Sequence, residues 1–355
     1  MHLFSPLTLR DLTLRNRIVV SPMCQYSSDD GFANDWHLVH LGQFAVGGAA
    51  MVITEATAVT ADGRISPQDL GLWKDEHVDM LARIGRFVEA HGAVFGTQLA
   101  HAGRKASTGR PWEGGGPVGM ERGGWTHLAA PSALAFDTHY QTPDALDLAG
   151  IARVVASFRA AADRALVAGM RVIELHAAHG YLLHQFLSPL SNVRSDRYGG
   201  SFENRIRLTL DVATAVREVW PERLPLLVRL SVTDWRDGGW TPDESVELVR
   251  RLGESGVDGV DCSSGGVVPK VEIPVGPGYH VAFAARIRRE TGVPTCAVGL
   301  ITGSAQADTI VRSEQADLVV MARELLRQPH WPLQAAHELG QEAPWPPQYQ
   351  RAKQR

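Results

Sequence analysis

Three side chains in one short stretch could do chemistry together: His176, His179 and Tyr181, within His176-Ala177-Ala178-His179-Gly180-Tyr181. Two imidazoles three residues apart can offer two N–H groups to one oxygen atom, and a nearby phenol can give a proton. The same spacing also suits two histidines that merely satisfy a loop, so the surroundings must decide. Just upstream, residues 172–175 read Val-Ile-Glu-Leu, which predicts a short buried strand, and Gly180 lets the backbone turn after it. In a parallel α/β barrel, catalytic side chains sit at such strand ends, where the loops open onto one face.

Seven further strands of this kind can be read along the chain. Apolar runs at 17–20, 50–54, 93–99, 226–230, 259–262, 295–298 and 317–321 alternate with helical patterns at 36–47, 75–91, 148–168, 204–219, 241–255, 281–291 and 303–313. The helix at 75–91 puts Val78, Leu81, Ile84 and Val88 on one stripe, and Thr241-Pro242-Asp243-Glu244 is a strong helix start. Eight alternations predict an α/β fold, a single (β/α)8 TIM barrel. An open doubly wound sheet would announce itself by a glycine-rich turn after its first strand. Here Ser21-Pro22-Met23-Cys24 stands in that place. The stretch at 114–119 matches GxGxxG, but it follows no strand, opens no helix and contains a proline, so it is not read as a dinucleotide site. Residues 100–147, rich in Gly and Pro, predict a long loop after strand three, of the kind that covers a site. The barrel is expected over 1–340. An extended C-terminal tail is expected over 341–355, where Pro344, Pro346 and Pro347 oppose helix.

Composition narrows the function classes. Of 355 residues, 44% are hydrophobic and 21% charged, as in globular proteins, and a net charge of −4 gives no electrostatic case for nucleic acid. No apolar run approaches the roughly 20 residues of a membrane helix, and no signal peptide is visible. Cys24, Cys262 and Cys296 are far apart and lack CxxC spacing, so neither a disulfide framework nor a metal site is indicated, and a reducing cytoplasm is expected.

Placed on a barrel, the strand ends present Cys24 and Tyr26, Ala56, Gln98, the His176–Tyr181 group, Arg229, Gly299 and Arg323. Loops seven and eight are the usual phosphate site of this fold. Backbone N–H groups after Gly299 can approach a phosphate, and Arg323 can grip it; equally, Gly299 can simply close a turn and Arg323 pair with a surface carboxylate. A phosphate anchor, the Gln98 amide and a fixed cation at Arg229 suit a ligand with a phosphate tail and a polar heterocycle, such as flavin mononucleotide (FMN).

The longer motifs sharpen this. Ser21-Pro22-Met23-Cys24-Gln25-Tyr26, Gln98-Leu99-Ala100-His101-Ala102-Gly103-Arg104, the run from His176 to Pro189, and Arg197-Tyr198-Gly199-Gly200-Ser201-Phe202-Glu203-Asn204-Arg205 resemble the old yellow enzyme family of flavin-dependent ene-reductases. Within it, the similarity is to the bacterial subclass of NADPH dehydrogenases and xenobiotic reductases, and it spans nearly the whole chain. The resemblance implies non-covalent FMN, reduced by NADPH or NADH, and reduction of the C=C bond of activated alkenes. It implies that Ser21, Pro22, Met23 and Cys24 line the flavin, with the Cys24 thiol tuning its potential. It further implies that Ala56, Gln98 and Arg229 bind the isoalloxazine, and that Gly299, Ala322 and Arg323 hold the phosphate. His176 and His179 would bind the substrate oxygen, Tyr181 would donate the proton, and Tyr26 would touch substrate. The tail motif Gln348-Tyr349-Gln350-Arg351 implies a homodimer, or a dimer of dimers, in which Arg351 enters the neighbour's site. Two departures stand out: Ala322 where the family commonly has Gly, and Ala352-Lys353 where relatives often have Gly-Trp. The rival from another class is a metal-dependent hydrolase using His176 and His179 as ligands, for which Glu174, Asp234 and Cys262 are poorly placed third ligands. A dienoyl-CoA reductase barrel would carry a cysteine cluster, which this sequence lacks.

Overall fold

The computed structural model describes residues 1–353. Among these, eight parallel strands close into a barrel in chain order: β1 Ile18–Val20, β2 Met51–Ala58, β3 Val94–Ala100, β4 Val172–Ala177, β5 Leu226–Ser231, β6 Gly259–Ser263, β7 Thr295–Ala297 and β8 Leu318–Met321. Each strand pairs with its sequence neighbours, and β8 closes on β1 through Val320 opposite Val19. The helices between them are α1 Asp35–Val46, α2 Val78–Ala90, α3 Leu148–Val167, a short α4 Leu182–Leu187, α5 Phe202–Val219, α6 Pro242–Glu254, α7 Val281–Thr291 and α8 Ser304–Arg312. The expected alternation and fold class are those found.

Why these segments form these elements is readable locally. In α2, Val78, Leu81, Ile84 and Val88 are the buried stripe. Helix α6 starts on a capping box, with the Thr241 side chain accepting from the Glu244 N–H and the Glu244 carboxylate reaching back, and Pro242 sits in the first turn. The strands have two faces. Outward residues such as Ile18, Val52, Ile173, Val228 and Val260 pack against the helices. Inward residues Val19, Met51, Val94, Val172, Leu227, Cys296 and Leu318 form a second apolar core. Its floor is closed by an N-terminal hairpin, Leu7–Leu9 paired with Leu12–Leu14. Each such aliphatic side chain contributes roughly 1.5–3 kcal/mol by burial. The polar residues one layer higher in the same interior therefore need a separate explanation.

Several boundaries differ from the sequence reading. Strand β2 runs to Ala58 rather than ending at 54, with a register irregularity between Ile53 and Ala56. That bulge resets the alternation and carries Ala56 to the mouth of the barrel beside Gln98. Strand β4 continues through His176, so this histidine is held by sheet pairing to Arg229 of β5 rather than by a loop. The excursion at 100–147 is not featureless. It holds three short 3-10 turns, Gly103–Lys105, Pro111–Glu113 and Met120–Arg122, and a small parallel pair, Ala129–Ala130 with Asp144–Ala145. In the tail the prolines do keep 341–346 out of helix. Pro347, however, opens a 3-10 turn, Pro347–Ala352, because a first helical turn does not need the N–H that proline lacks.

Candidate active site

The site is built at the C-terminal ends of the strands, beginning with β4. His176 is 3% exposed. Its Nδ1 accepts the Ala178 N–H at 3.2 Å, which leaves the proton of the neutral ring on Nε2. His179 has φ 59°, so the chain turns back and its ring meets that of His176 edge-on. His179 Nδ1 lies 3.4 Å from His176 Nε2, and His179 Nε2 lies 2.7 Å from Ser263 Oγ. Burial, and then the Arg229 charge, push both imidazoles well below the ordinary histidine range, so both are neutral at neutral pH. The Tyr181 ring stands 4.9 Å from that of His176, and burial holds its phenol protonated well above the usual tyrosine range.

The loop carrying these groups is held by a half-buried lysine, a buried arginine and a third histidine. Lys105 Nζ donates to the carbonyls of His179 (2.8 Å) and Gly266 (3.2 Å) and lies over the Tyr181 ring. Next to it, the buried Arg104 donates to the carbonyls of Leu134 (3.1 Å) and Val267 (2.6 Å). These two side chains bind the long excursion, the β4 loop and the β6 loop together. His184 Nδ1 accepts the Gly180 N–H at 2.9 Å, and its Nε2 faces Asp234 at 2.9 Å with both side chains fully buried. Gly180 itself has φ 73°, and a Cβ there would fall 2.0 Å from the Gly266 carbonyl, so only glycine fits.

The other strand ends converge on the same mouth. After β1, Ser21 is buried and its Oγ accepts from Arg229 at 3.1 Å, while Pro22, Met23, Cys24 and Tyr26 are half-buried. Cys24 and Tyr181 pack on one small apolar patch with Ala56. Burial pushes the Cys24 thiol well up, so it is neutral there. Tyr26 meets Trp112 of the long excursion edge-on, so that segment does reach the site. Buried Glu55 shapes this loop by accepting the Gln25 N–H at 2.8 Å and by facing His37 Nε2 at 3.2 Å. Gln98, opposite Ala56, donates to Glu174 at 2.7 Å. Arg229, 6% exposed, faces Asp261 at 3.1 Å.

A cavity of about 260 Å³ runs from His179, Arg229 and Ser263 to Gly299, Ala322 and Arg323. It brings Gly299, Ala322 and Arg323 together with Arg229, while Ser21, Pro22, Met23, Cys24, Ala56 and Gln98 stand at other strand ends and do not line it. Gly299 has φ 111°, and a Cβ there would meet the Tyr279 ring at 2.9 Å and His280 Nδ1 at 3.1 Å. His280 Nε2 is bonded to Ser264 Oγ at 2.8 Å, while its Nδ1 is buried without a partner. Arg351, exposed on the tail turn, does not line this cavity. A larger groove of about 560 Å³ lies elsewhere, between α1 and the C-terminal segment, lined by Gln43, Trp331, Leu333 and Trp345 among others, and contains none of the predicted residues. The hydrolase reading asks for a third ligand beside His176 and His179. Among the described residues no three His, Cys, Asp or Glu side chains are grouped to hold a metal ion.

Sequence reasoning missed Lys105, Ser263, His280 and the roles of Glu55 and Asp261. Ser263 and Ser264 carried a signal, a polar pair at the end of strand six. His280 carried none, because it lies beyond a loop and enters the site only through the fold.

A parallel barrel with this mouth defines a class of cofactor-dependent barrel enzymes, and comparison with known proteins makes the class specific. The sequence profile of the NADH:flavin oxidoreductase / NADH oxidase family matches residues 2–342, and the chain belongs to that family. It is 50% identical over 351 residues to the NADPH dehydrogenase of Geobacillus thermodenitrificans (strain NG80-2), covering 98% of each chain. It is 48% identical over 352 residues to the NADPH dehydrogenase of Listeria innocua serovar 6a, covering 99% of this chain and 98% of the other. Among solved structures it is similar to morphinone reductase in complex with tetrahydroNAD, with TM-score 0.79 and 26% identity over 98% of this chain and 93% of that one. The protein is an NAD(P)H-dependent flavin oxidoreductase that uses FMN, in keeping with the expected old yellow enzyme-like family. No helix among the described residues is long and apolar enough to cross a membrane.

Proposed function

We propose that this enzyme is an ene-reductase, reducing the C=C bond of α,β-unsaturated carbonyl compounds and related activated alkenes. The observation that carries this reading is the pair of facing nitrogens, His176 Nε2 and His179 Nδ1, 3.4 Å apart beside Tyr181. His176 presents Nε2–H because its Nδ1 is an acceptor. His179 presents Nδ1–H when the Ser263 hydroxyl donates to its Nε2. Two donors so aimed can share one oxygen.

The residues present fit FMN. Arg323 and the Gly299 backbone suit a phosphate at one end of the cavity, while Arg229, Gln98 and Ser21 suit the polar edge of the ring. Ala322 keeps a methyl group at the phosphate end, and no contact in the structure marks it as obstructing. Pro22, Met23, Cys24 and Ala56 would line the ring. Arg229 Nε and His280 Nδ1 are buried polar atoms without aligned partners, as expected of a site shaped for a polar ligand. When bound there, FMN would supply the hydride chemistry, with NADPH or NADH as the reductant.

The chain's own residues do the rest. His176 and His179 hold the carbonyl oxygen and stabilise the negative charge that develops on it, more strongly than they bind the neutral carbonyl. Being neutral, they donate without neutralising the product by proton loss. Tyr181, protonated at working pH, delivers a proton to the α-carbon. Tyr26, under Trp112, bounds the substrate. Arg351 reaches the site of a second copy in a homodimer or dimer of dimers, a role supported here by its exposure and by the Tyr349–His330 contact that seats the tail. The free thiols Cys24, Cys262 and Cys296 suit a cytoplasmic enzyme.

The deciding experiment is anaerobic. The enzyme is bleached with NADPH, and 2-cyclohexenone is then added while flavin absorbance is followed. Return of the yellow colour with formation of the saturated ketone is expected. Bleached flavin that cyclohexenone, maleimides and nitroalkenes all leave unoxidised refutes the reading.

A further inference from the structure

Below the mouth of the barrel lies one polar layer that the proposed chemistry does not use. Glu174 on β4 and Asp261 on β6 point into the barrel interior, 1% and 0% exposed, directly above the apolar core. Two anionic carboxylates would be costly here, because burial without pairing disfavours charge strongly. The cation between them is Arg229 on β5, which faces Asp261 Oδ2 at 3.1 Å and donates from Nη1 to Ser21 Oγ. Glu174 accepts instead from the Gln98 amide on β3 at 2.7 Å. Neither oxygen of Asp261 has an aligned donor.

The groups around this layer are all accounted for. Above it stand His176, His179 and His280, each pushed toward neutrality by burial. Beside it on β7 is the Cys296 thiol, which burial, followed by Asp261 and Glu174, drives upward. The Ser21 hydroxyl, just past β1, completes the ring. One cation therefore faces two carboxyl groups. Both carboxyls are displaced upward by burial, with the other's charge adding to the rise of Glu174.

We propose that Glu174 and Asp261 act as positioning carboxyls beneath the cofactor, Glu174 orienting Gln98 and Asp261 offsetting the charge of Arg229, and that together they set the reduction potential of the flavin. Glu174 fixes which way the Gln98 amide faces. One amide N–H is committed to the carboxylate, so the carbonyl oxygen and the remaining N–H are presented to the ligand. Asp261 tempers Arg229. Reduction adds negative charge to the pyrimidine side of the ring, and an uncompensated buried guanidinium would favour that charge far more than a paired one. The pair thus keeps the potential low enough for the hydride to be passed on. Because both carboxyls contact the groups that meet that added charge, their ionisation also gives the potential a pH dependence of its own. Glu174 and Asp261 are positioning residues and touch neither substrate nor reacting atoms.

This inference rests on the placement of the flavin ring at Gln98 and Arg229 proposed above. The test is spectroelectrochemical titration of the FMN-loaded protein from pH 6 to 9, with FMN affinity measured separately by fluorescence quenching. Glu174→Gln and Asp261→Asn are each expected to shift the potential to more positive values and to remove a break in its pH dependence, while FMN still binds. Potentials and pH slopes that coincide with wild type in both variants overturn the proposal. If Asp261→Asn does not fold, the near-isosteric Glu174→Gln decides alone. Arg229→Met separates the two readings. If it changes neither FMN affinity nor potential, the flavin placement fails. If it moves the potential while Glu174→Gln and Asp261→Asn do not, the carboxyl pair alone is refuted.

Discussion

Replacing His179 tests the oxygen-binding arrangement most directly, because the substitution can be made without disturbing the loop. Its backbone is pinned independently of the ring: the N–H donates to Ser231 Oγ at 2.9 Å and the carbonyl accepts Lys105 Nζ at 2.8 Å. Alanine at φ 59° adds no Cβ crowding, because His179 already carries a Cβ in the left-handed region. Asparagine tolerates that region and still offers an amide N–H. His179→Ala removes one of two donors from the developing charge, a loss of about 2.7–4 kcal/mol of barrier, or about 10²–10³ in the rate of alkene reduction. His179→Asn should recover a large part of that rate. Single-turnover reoxidation of NADPH-bleached enzyme by cyclohexenone isolates the step, and the visible spectrum reports FMN content. Removing His176 as well should cost less than a second full factor, because the two donors act on one oxygen as a unit. A His179→Ala variant with wild-type reoxidation rate, or a His179→Asn variant no better than His179→Ala, refutes the two-donor reasoning.

Gly299→Ala should weaken FMN retention and lower Tm, because a Cβ at φ 111° falls 2.9 Å from the Tyr279 ring; gel filtration followed by absorbance at the flavin band checks this, and full retention would refute it. Truncation after Trp345 should change the mass in solution and raise KM for the enone if Arg351 serves a neighbouring site; light scattering and kinetics identical to the full chain would sink that role. Stability should fall as pH drops from about 6.5 toward 4. His40 and His280 are each held by burial at about 4, against 6.5 when unfolded, so below 6.5 the unfolded chain binds more protons and gains on the folded one. The contribution is complete above pH 6.5 and lost by about pH 4. His40→Gln should flatten that part of a Tm-against-pH curve.

Much of this could be read from the chain because the barrel repeats one simple rule. Short apolar runs such as 226–230 alternate with stripes such as Val78–Val88, and each polar residue at the end of a run lands on the same face. That rule put Gln98, Arg229, Gly299 and Arg323 on one mouth without any knowledge of contacts. It could not supply the residues that arrive from elsewhere. His280 comes from the start of α7, and Lys105 from a turn inside an irregular excursion, where periodicity carries no information. The end of β2 is hidden in the sequence for a different reason. A bulge at Glu55 breaks the alternation on which strand reading depends, yet the bulge is what aligns Ala56 with Gln98. The tail reads as extended because proline breaks a helix interior, whereas Pro347 stands in a first turn, which tolerates proline.

Arg104 and Lys105 hold three loops together by donating to carbonyl oxygens of Leu134, His179, Gly266 and Val267. A carbonyl is present whatever side chain follows it. Most of these anchors would therefore survive almost any substitution at the positions they grip. The exposed side chain at 134 is free to drift, while the frame that carries His176, His179 and Tyr181 stays where it is. A scaffold fastened by its backbone can change what it accepts faster than it changes what it does.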